Sequence, residues 1–171
     1  MAAFPTLLLS LHVLAAILAV GTLAVAASLF PRYALRARGG AGEDVAEEGR
    51  ERAAGVAAFL HRVCRTYAVA GLAVPVLGMA TGSALGVLTD AWLIASMLLT
   101  TAAALLLALA ILPVQRHLLG HPADGPPPDS DGGTPRPTPA ATAASLAMRT
   151  GVFNLLWAIV VVLMIARPGS A

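Results

Sequence analysis

The chain has no lysine, one cysteine and little charge of either sign. Only 12% of its 171 residues are charged, where an ordinary soluble domain carries about 25%. The lone Cys64 excludes an internal disulfide. Acidic residues are missing from every long apolar run, which removes the intramembrane carboxylate that proton- or cation-coupled transporters use. There is no glycine-rich phosphate loop, no zinc-ligand spacing and no nucleophile elbow. With no catalytic constellation in view, enzyme status stays open, and oxidoreductase chemistry enters only with a bound redox group.

What is present is apolar and segmented. Hydrophobic residues make up 58% of the chain, and the charges are clustered rather than spread. Residues 1–31, 66–89, 91–115 and 150–166 carry no charge, and Asp90 alone separates the second run from the third. A membrane helix needs roughly 20 mainly apolar residues. The first three runs reach that length, and the stretch Ala140 to Met148 extends the fourth if Arg149 snorkels toward the headgroups. The sequence predicts one all-α domain over residues 1–171, a four-transmembrane-helix bundle with spans near 6–30, 66–88, 92–115 and 145–166. The first run has no preceding Lys or Arg and exceeds the h-region of a signal peptide, so it is read as an uncleaved span.

Arginine sets the expected orientation. All 11 basic residues are arginine, and seven of them, from Arg32 to Arg65, lie between the first two spans. Arg116, Arg136 and Arg149 lie at or between spans three and four, and only Arg167 falls on the other side. Excess basic charge marks the cytoplasmic side, so both termini are expected outside, in a multi-pass protein of the bacterial plasma membrane. The same arginines account for the basic pI without nucleic acid, and the bilayer, with its anionic headgroups, is the expected partner. Residues 43–65 read as an amphipathic cytoplasmic helix, with Glu48 and Arg52 in the favourable i,i+4 order. Residues 121–140 hold seven prolines and three glycines and read as a disordered cytoplasmic loop.

Two features within the spans point toward function. Gly78, Gly82 and Gly86 recur at i,i+4 and form a bare stripe, the pattern of close helix packing in lipid. His12 is the only histidine within the spans and shares a helix face with Ala15, Ala16 and Ala19, so it should point into the bundle. It lies about 7.5 Å past Leu7 at 1.5 Å per residue, at a depth where a polar group must find a partner. Ser96 and Met97 sit at similar depth, with Met79, Ser83 and Asn154 further off. An inward imidazole is a candidate axial ligand for haem b, with Met97 on the second side, or a ligand for copper. The alternative is a hydrogen bond to Ser96 or to a backbone carbonyl that fixes packing. Asn154 reads as interhelical glue.

The stretches "LHVLAAILAVGTLAVAASLFPRYAL" (11–35), "YAVAGLAVPVLGMATG" (67–82) and "TGVFNLLWAIVVVLMIARPG" (150–169) carry a resemblance. Through them the chain resembles an actinobacterial family of four-span integral membrane proteins, a domain of unknown function. "LH" followed by small residues, then "LFPR", is also distantly similar to the first span of copper-resistance-D-like proteins and of the membrane haem-b protoporphyrinogen oxidases. That likeness would make His12 the haem ligand. Ser96 stands where the oxidase pattern has a lysine four residues after tryptophan, and the oxidase histidine shortly after Pro-Arg has no counterpart after Arg32. Two functional readings follow. One is a structural or accessory membrane protein that packs through its glycines and associates with itself or a larger complex. The other is a haem-b or copper-binding membrane redox protein using His12.

Overall fold

The computed structural model describes residues 3–39, 46–120 and 138–169. Within them the chain is all-helical, and four helical stretches are long and apolar enough to cross a membrane. The first is α1 (Ala3–Ala37). Its buried positions, among them His12, Ala19, Leu23, Ala26, Ala27, Phe30 and Ala34, fall on one helical face and form one seam. Leu7, Leu14, Leu18 and Val25 point outward, as lipid-facing side chains do.

The second crossing is built from α2 (Glu47–Ala70) and α3 (Ala73–Leu85). The amphipathic stretch runs without a break into the apolar one. Ala53, Ala57, Leu60 and Cys64 form its buried stripe, and α2 makes the most extensive packing against α1. The break between α2 and α3 has a covalent cause. Pro75 has no N–H to offer the Gly71 carbonyl, so that carbonyl accepts from Val74 N instead, at 3.0 Å, in a tighter turn. A Cβ on Gly71 would lie 3.0 Å from the Tyr67 carbonyl oxygen, so the turn suits glycine. At its far end α3 closes on Gly86 in the left-handed region (φ 71°). Val87 N bonds Gly82 O at 3.0 Å and Gly86 N bonds Ser83 O at 3.1 Å, the paired bonds of a Schellman cap.

The third crossing starts as α4 (Ala91–Leu106), passes through a π-helical turn (Leu107–Ile111) and continues as α5 (Leu112–Leu118). Pro113 explains the wide turn, because it cannot bond four residues back and its ring crowds that carbonyl. The guanidinium of Arg149 reaches in from the fourth crossing and donates to the Ala110 carbonyl at 3.2 Å. That crossing, α6 (Pro139–Ala166), opens with Thr138 as N-cap, whose hydroxyl accepts from Ala141 N at 3.2 Å, and has Pro139 in its first turn. The proline-rich loop predicted at 121–140 lies outside the described residues up to 137, and residues 43–45 of the amphipathic segment lie outside them too.

The bundle is not evenly packed. Its apolar core gathers in the arginine-rich half, where Ala27, Phe30, Cys64, Ile111, Leu146 and Phe153 are all nearly or fully buried. In the opposite half α3 and α4 barely touch, and residues of both α1 and α6 border open space there. That half holds His12 and is left open between helices.

Candidate functional site beside His12

His12 is buried, 7% exposed, in the seam between α1 and α3. Its Nδ1 lies 2.9 Å from the Val74 carbonyl oxygen. A carbonyl only accepts, so Nδ1 carries the proton, and in the neutral ring Nε2 keeps its lone pair. The imidazole rests on Gly78, where an added Cβ would lie 3.0 Å from Cε1 and 3.4 Å from Nδ1. The glycine therefore makes room for the ring, and the Val74 carbonyl on the preceding turn of α3 fixes its orientation.

The three glycines of the stripe do different jobs. Gly78 seats His12. Gly82 lies under Leu93 and Leu88, whose Cδ2 atoms would meet a Cβ at 3.0 and 3.1 Å. Gly86 has open space around it and serves as the left-handed cap of α3.

Two cavities meet at His12. The inner one, of about 320 Å³, is lined by His12, Pro75, Ser96, Met97, Thr100 and Trp157 among others. The outer one, of about 690 Å³, extends past Gly78 and Gly82 to Trp92 and Arg167. Both are bordered by Ala16, Leu93 and Met164. Ligand pockets commonly measure about 300–1,000 Å³ and are mostly apolar with a few placed polar groups. At the mouth, the Arg167 guanidinium carbon lies 5.6 Å from the centroid of the Trp92 ring, within cation–π range. Trp92 Nε1 in turn donates to the Asp90 carboxylate at 3.0 Å.

The expected neighbours of His12 divide. Ser96 and Met97 line the inner cavity with it, but the Ser96 hydroxyl donates back to the Trp92 carbonyl at 2.8 Å. A hydroxyl inside a membrane helix finds the carbonyl four residues back, and Thr81 and Thr150 do the same. Met79 is largely exposed and Ser83 lies on the surface of α3, so neither approaches the ring. Asn154 Nδ2 donates to Ser28 Oγ at 3.2 Å, a bond between α6 and α1.

Sequence reasoning overlooked Met164, a second thioether on the same cavities, because methionine in an apolar run carries no distinguishing signal. Its spacing of three from Arg167 was the available clue. Also overlooked was a polar cluster in the other half. His61, read from sequence as solvated, is half-buried, with Nδ1 3.0 Å from Gln115 Oε1, and Gln115 donates to Cys64 Sγ at 3.7 Å. These groups, on α2 and α5, are already paired with one another.

Several donors could meet a bound group. His12 Nε2 and the Met97 and Met164 thioethers are the soft or nitrogen donors of the cleft. No group of three or more His, Cys, Asp or Glu side chains is gathered among the described residues, so copper would rest on one imidazole and thioethers. A flat, apolar group would meet one imidazole, apolar walls and thioethers there. Fold and cleft together define a multi-pass membrane bundle with an intramembrane histidine beside a cavity. No protein-family description, curated protein or solved structure matches the chain.

Proposed function

We propose that this membrane protein binds haem b in the cleft beside His12, with Nε2 as the axial donor. The carrying observation is the imidazole whose Nδ1–H is fixed on the Val74 carbonyl while the residue borders both cavities. Metal-binding histidines almost always give their other N–H to such an acceptor, which sets the tautomer and the ring plane. Apolar side chains such as Ala16, Ile17 and Leu93 line the space, and Met97 and Met164 at its border would offer thioether donors. Bound there, haem b would supply one-electron redox chemistry tuned by its axial ligands. The chain's own part is to orient the imidazole, surround the group with apolar side chains and keep water away from it. The distant similarity of "LH" (11–12) and "LFPR" (29–32) to the first span of haem-b membrane proteins is in keeping with this reading. We place the protein in the bacterial plasma membrane with both termini outside, on the asymmetry of arginine.

The hydrogen bond between His12 and Val74 also supports a second reading, a structural or accessory bundle in which His12 clamps α1 to α3. One experiment separates the readings. The protein is purified in an uncharged detergent from cells supplied with haem, and its absorption is recorded before and after dithionite, with metal analysis alongside. The haem reading expects a Soret band that is absent from His12→Ala. A copper-bearing, haem-free preparation would move the assignment to copper. A colourless, metal-free protein that takes up neither added haem nor copper would leave His12 as a clamp.

A further inference from the structure

We propose that the ligand of the cleft enters sideways from the surrounding lipid, through a gap between α1 and α6. The inference rests on the haem reading for the identity of the ligand, whereas the gap itself stands apart from it.

Two helix stripes define the gap. On α1, Val13, Ile17, Gly21 and Ser28 follow one another at four, four and seven residues and so share a face. On α6, Asn154, Val161 and Ile165 do the same at seven and four. The stripes meet toward the arginine-rich half, where Asn154 Nδ2 donates to Ser28 Oγ at 3.2 Å. Beyond that bond they part. A Cβ on Gly21 would meet nothing within 4 Å. Val13, Ile17, Val161 and Ile165 are 47%, 65%, 51% and 78% exposed, and all four border the outer cavity. They form its rims rather than closing on each other.

The opposite flank is sealed. Leu93 and Leu88 lie over Gly82, and Trp92, Leu93 and Ser96 are buried. The way in is therefore between α1 and α6, at the level of the membrane spans. Aliphatic rims offer water no hydrogen-bond partner, whereas a group dissolved in lipid passes them without losing one. Haem b, a flat apolar ring, is such a group. In its absence, acyl chains of the bilayer fill the gap. The gap leads past Ala16 to the inner cavity, which Trp157 borders from the inward face of α6, shared with buried Thr150, Phe153 and Val160.

The test has two arms, both with the full chain in phosphatidylcholine vesicles. The first follows haem uptake from haem-loaded vesicles by the growth of the Soret band of the bound form. Ile17→Phe with Val161→Phe fills the rims and should slow uptake about 10-fold, the effect of roughly 1.4 kcal/mol on a barrier. The final spectrum should be unchanged, because His12 is untouched. Leu98→Phe, on an exposed position of α4 away from the cavities, should keep the wild-type rate. The second arm needs no haem. In Trp92→Phe, Trp157 is the one remaining tryptophan, and phosphatidylcholine with brominated acyl chains should quench its fluorescence. Adding the rim substitutions should relieve most of that quenching. Melting temperatures show whether the variants are folded, and either single rim variant replaces the double one if it is not. Quenching and its relief in a protein that takes up no haem would uphold the lateral gap while removing haem as the ligand. Uptake as fast with filled rims as in the wild type would overturn this inference and leave the haem reading standing. A Trp157 that brominated chains do not quench, or quench equally with the rims filled, would also overturn it.

Discussion

Gly78→Ala is the sharpest probe of the packing around His12. The new methyl would lie 3.0 Å from His12 Cε1 and 3.4 Å from Nδ1. The imidazole is rigid, buried and bonded at 2.9 Å to Val74 on the same helix as Gly78, so it cannot turn away and keep that bond. Overpacking of this kind costs about 1–3 kcal/mol, and a lost hydrogen bond adds about 1 kcal/mol. Against that, alanine is favoured over glycine within a helix by about 1 kcal/mol. The net expectation is a loss of about 1–3 kcal/mol. In a His12→Ala background the ring is gone, and the same substitution should be neutral or stabilising. A double-mutant cycle, with unfolding in mixed micelles as the assay, should therefore give a coupling of about 2 kcal/mol, well outside the 0.3–0.5 kcal/mol of independent sites. The other glycines are controls. Gly82→Ala meets only the flexible ends of Leu93 and Leu88, whereas Gly86→Ala forces a left-handed alanine and should cost about 1–2 kcal/mol whatever residue 12 is. Additivity of Gly78→Ala with His12→Ala would refute the seating of the imidazole on that glycine.

Other consequences are open to measurement. Arg149→Met removes the donor at the Ala110 carbonyl and should destabilise the bundle by about 1–2 kcal/mol, with a smaller loss if Pro113→Ala is made first. A loss unchanged by Pro113→Ala would separate Arg149 from the π-helical turn. Gly82→Leu should lower the melting temperature in detergent, since Leu93 and Leu88 have no room for a side chain of that size; an unchanged value would count against Gly82 as a packing position. Cys64 is completely buried, so maleimide should label it only after denaturation, and rapid labelling of the native protein would contradict the core around it. A cysteine placed at Asp129 should label from the cytoplasmic side, and labelling from the opposite side would reverse the proposed orientation.

Much of the architecture could be read from the chain because membrane helices declare themselves by length and absence of charge. The helical crossing that contains residues 66–85 begins at Glu47, since nothing between Arg65 and Tyr67 ends a helix. The fourth begins at Pro139, where a Thr-Pro pair supplies both cap and first turn. What stayed hidden depends on partners from elsewhere in the chain. Pro113 signals a lost hydrogen bond, but the turn it produces is completed by Arg149 from another helix. His61 looked solvated beside its arginines until Gln115 was brought against it. Gly86 continues the spacing of Gly78 and Gly82, and spacing alone does not distinguish a packing glycine from a cap. At the site, the inward face of His12 followed from its small neighbours, and a backbone carbonyl was one of its two expected hydrogen-bond partners, but which carbonyl did not follow, because that of Val74 leaves no mark in the sequence.

The most direct test of the central claim asks whether His12 Nε2 itself is the donor to the bound group. His12→Gly removes the imidazole and leaves a space that free imidazole can enter. The account predicts a haem absorption band in the wild type, its loss in His12→Gly, and its return when imidazole is added to the variant. A wild-type protein that takes up no haem, or a His12→Gly spectrum identical to the wild type without imidazole, would contradict it.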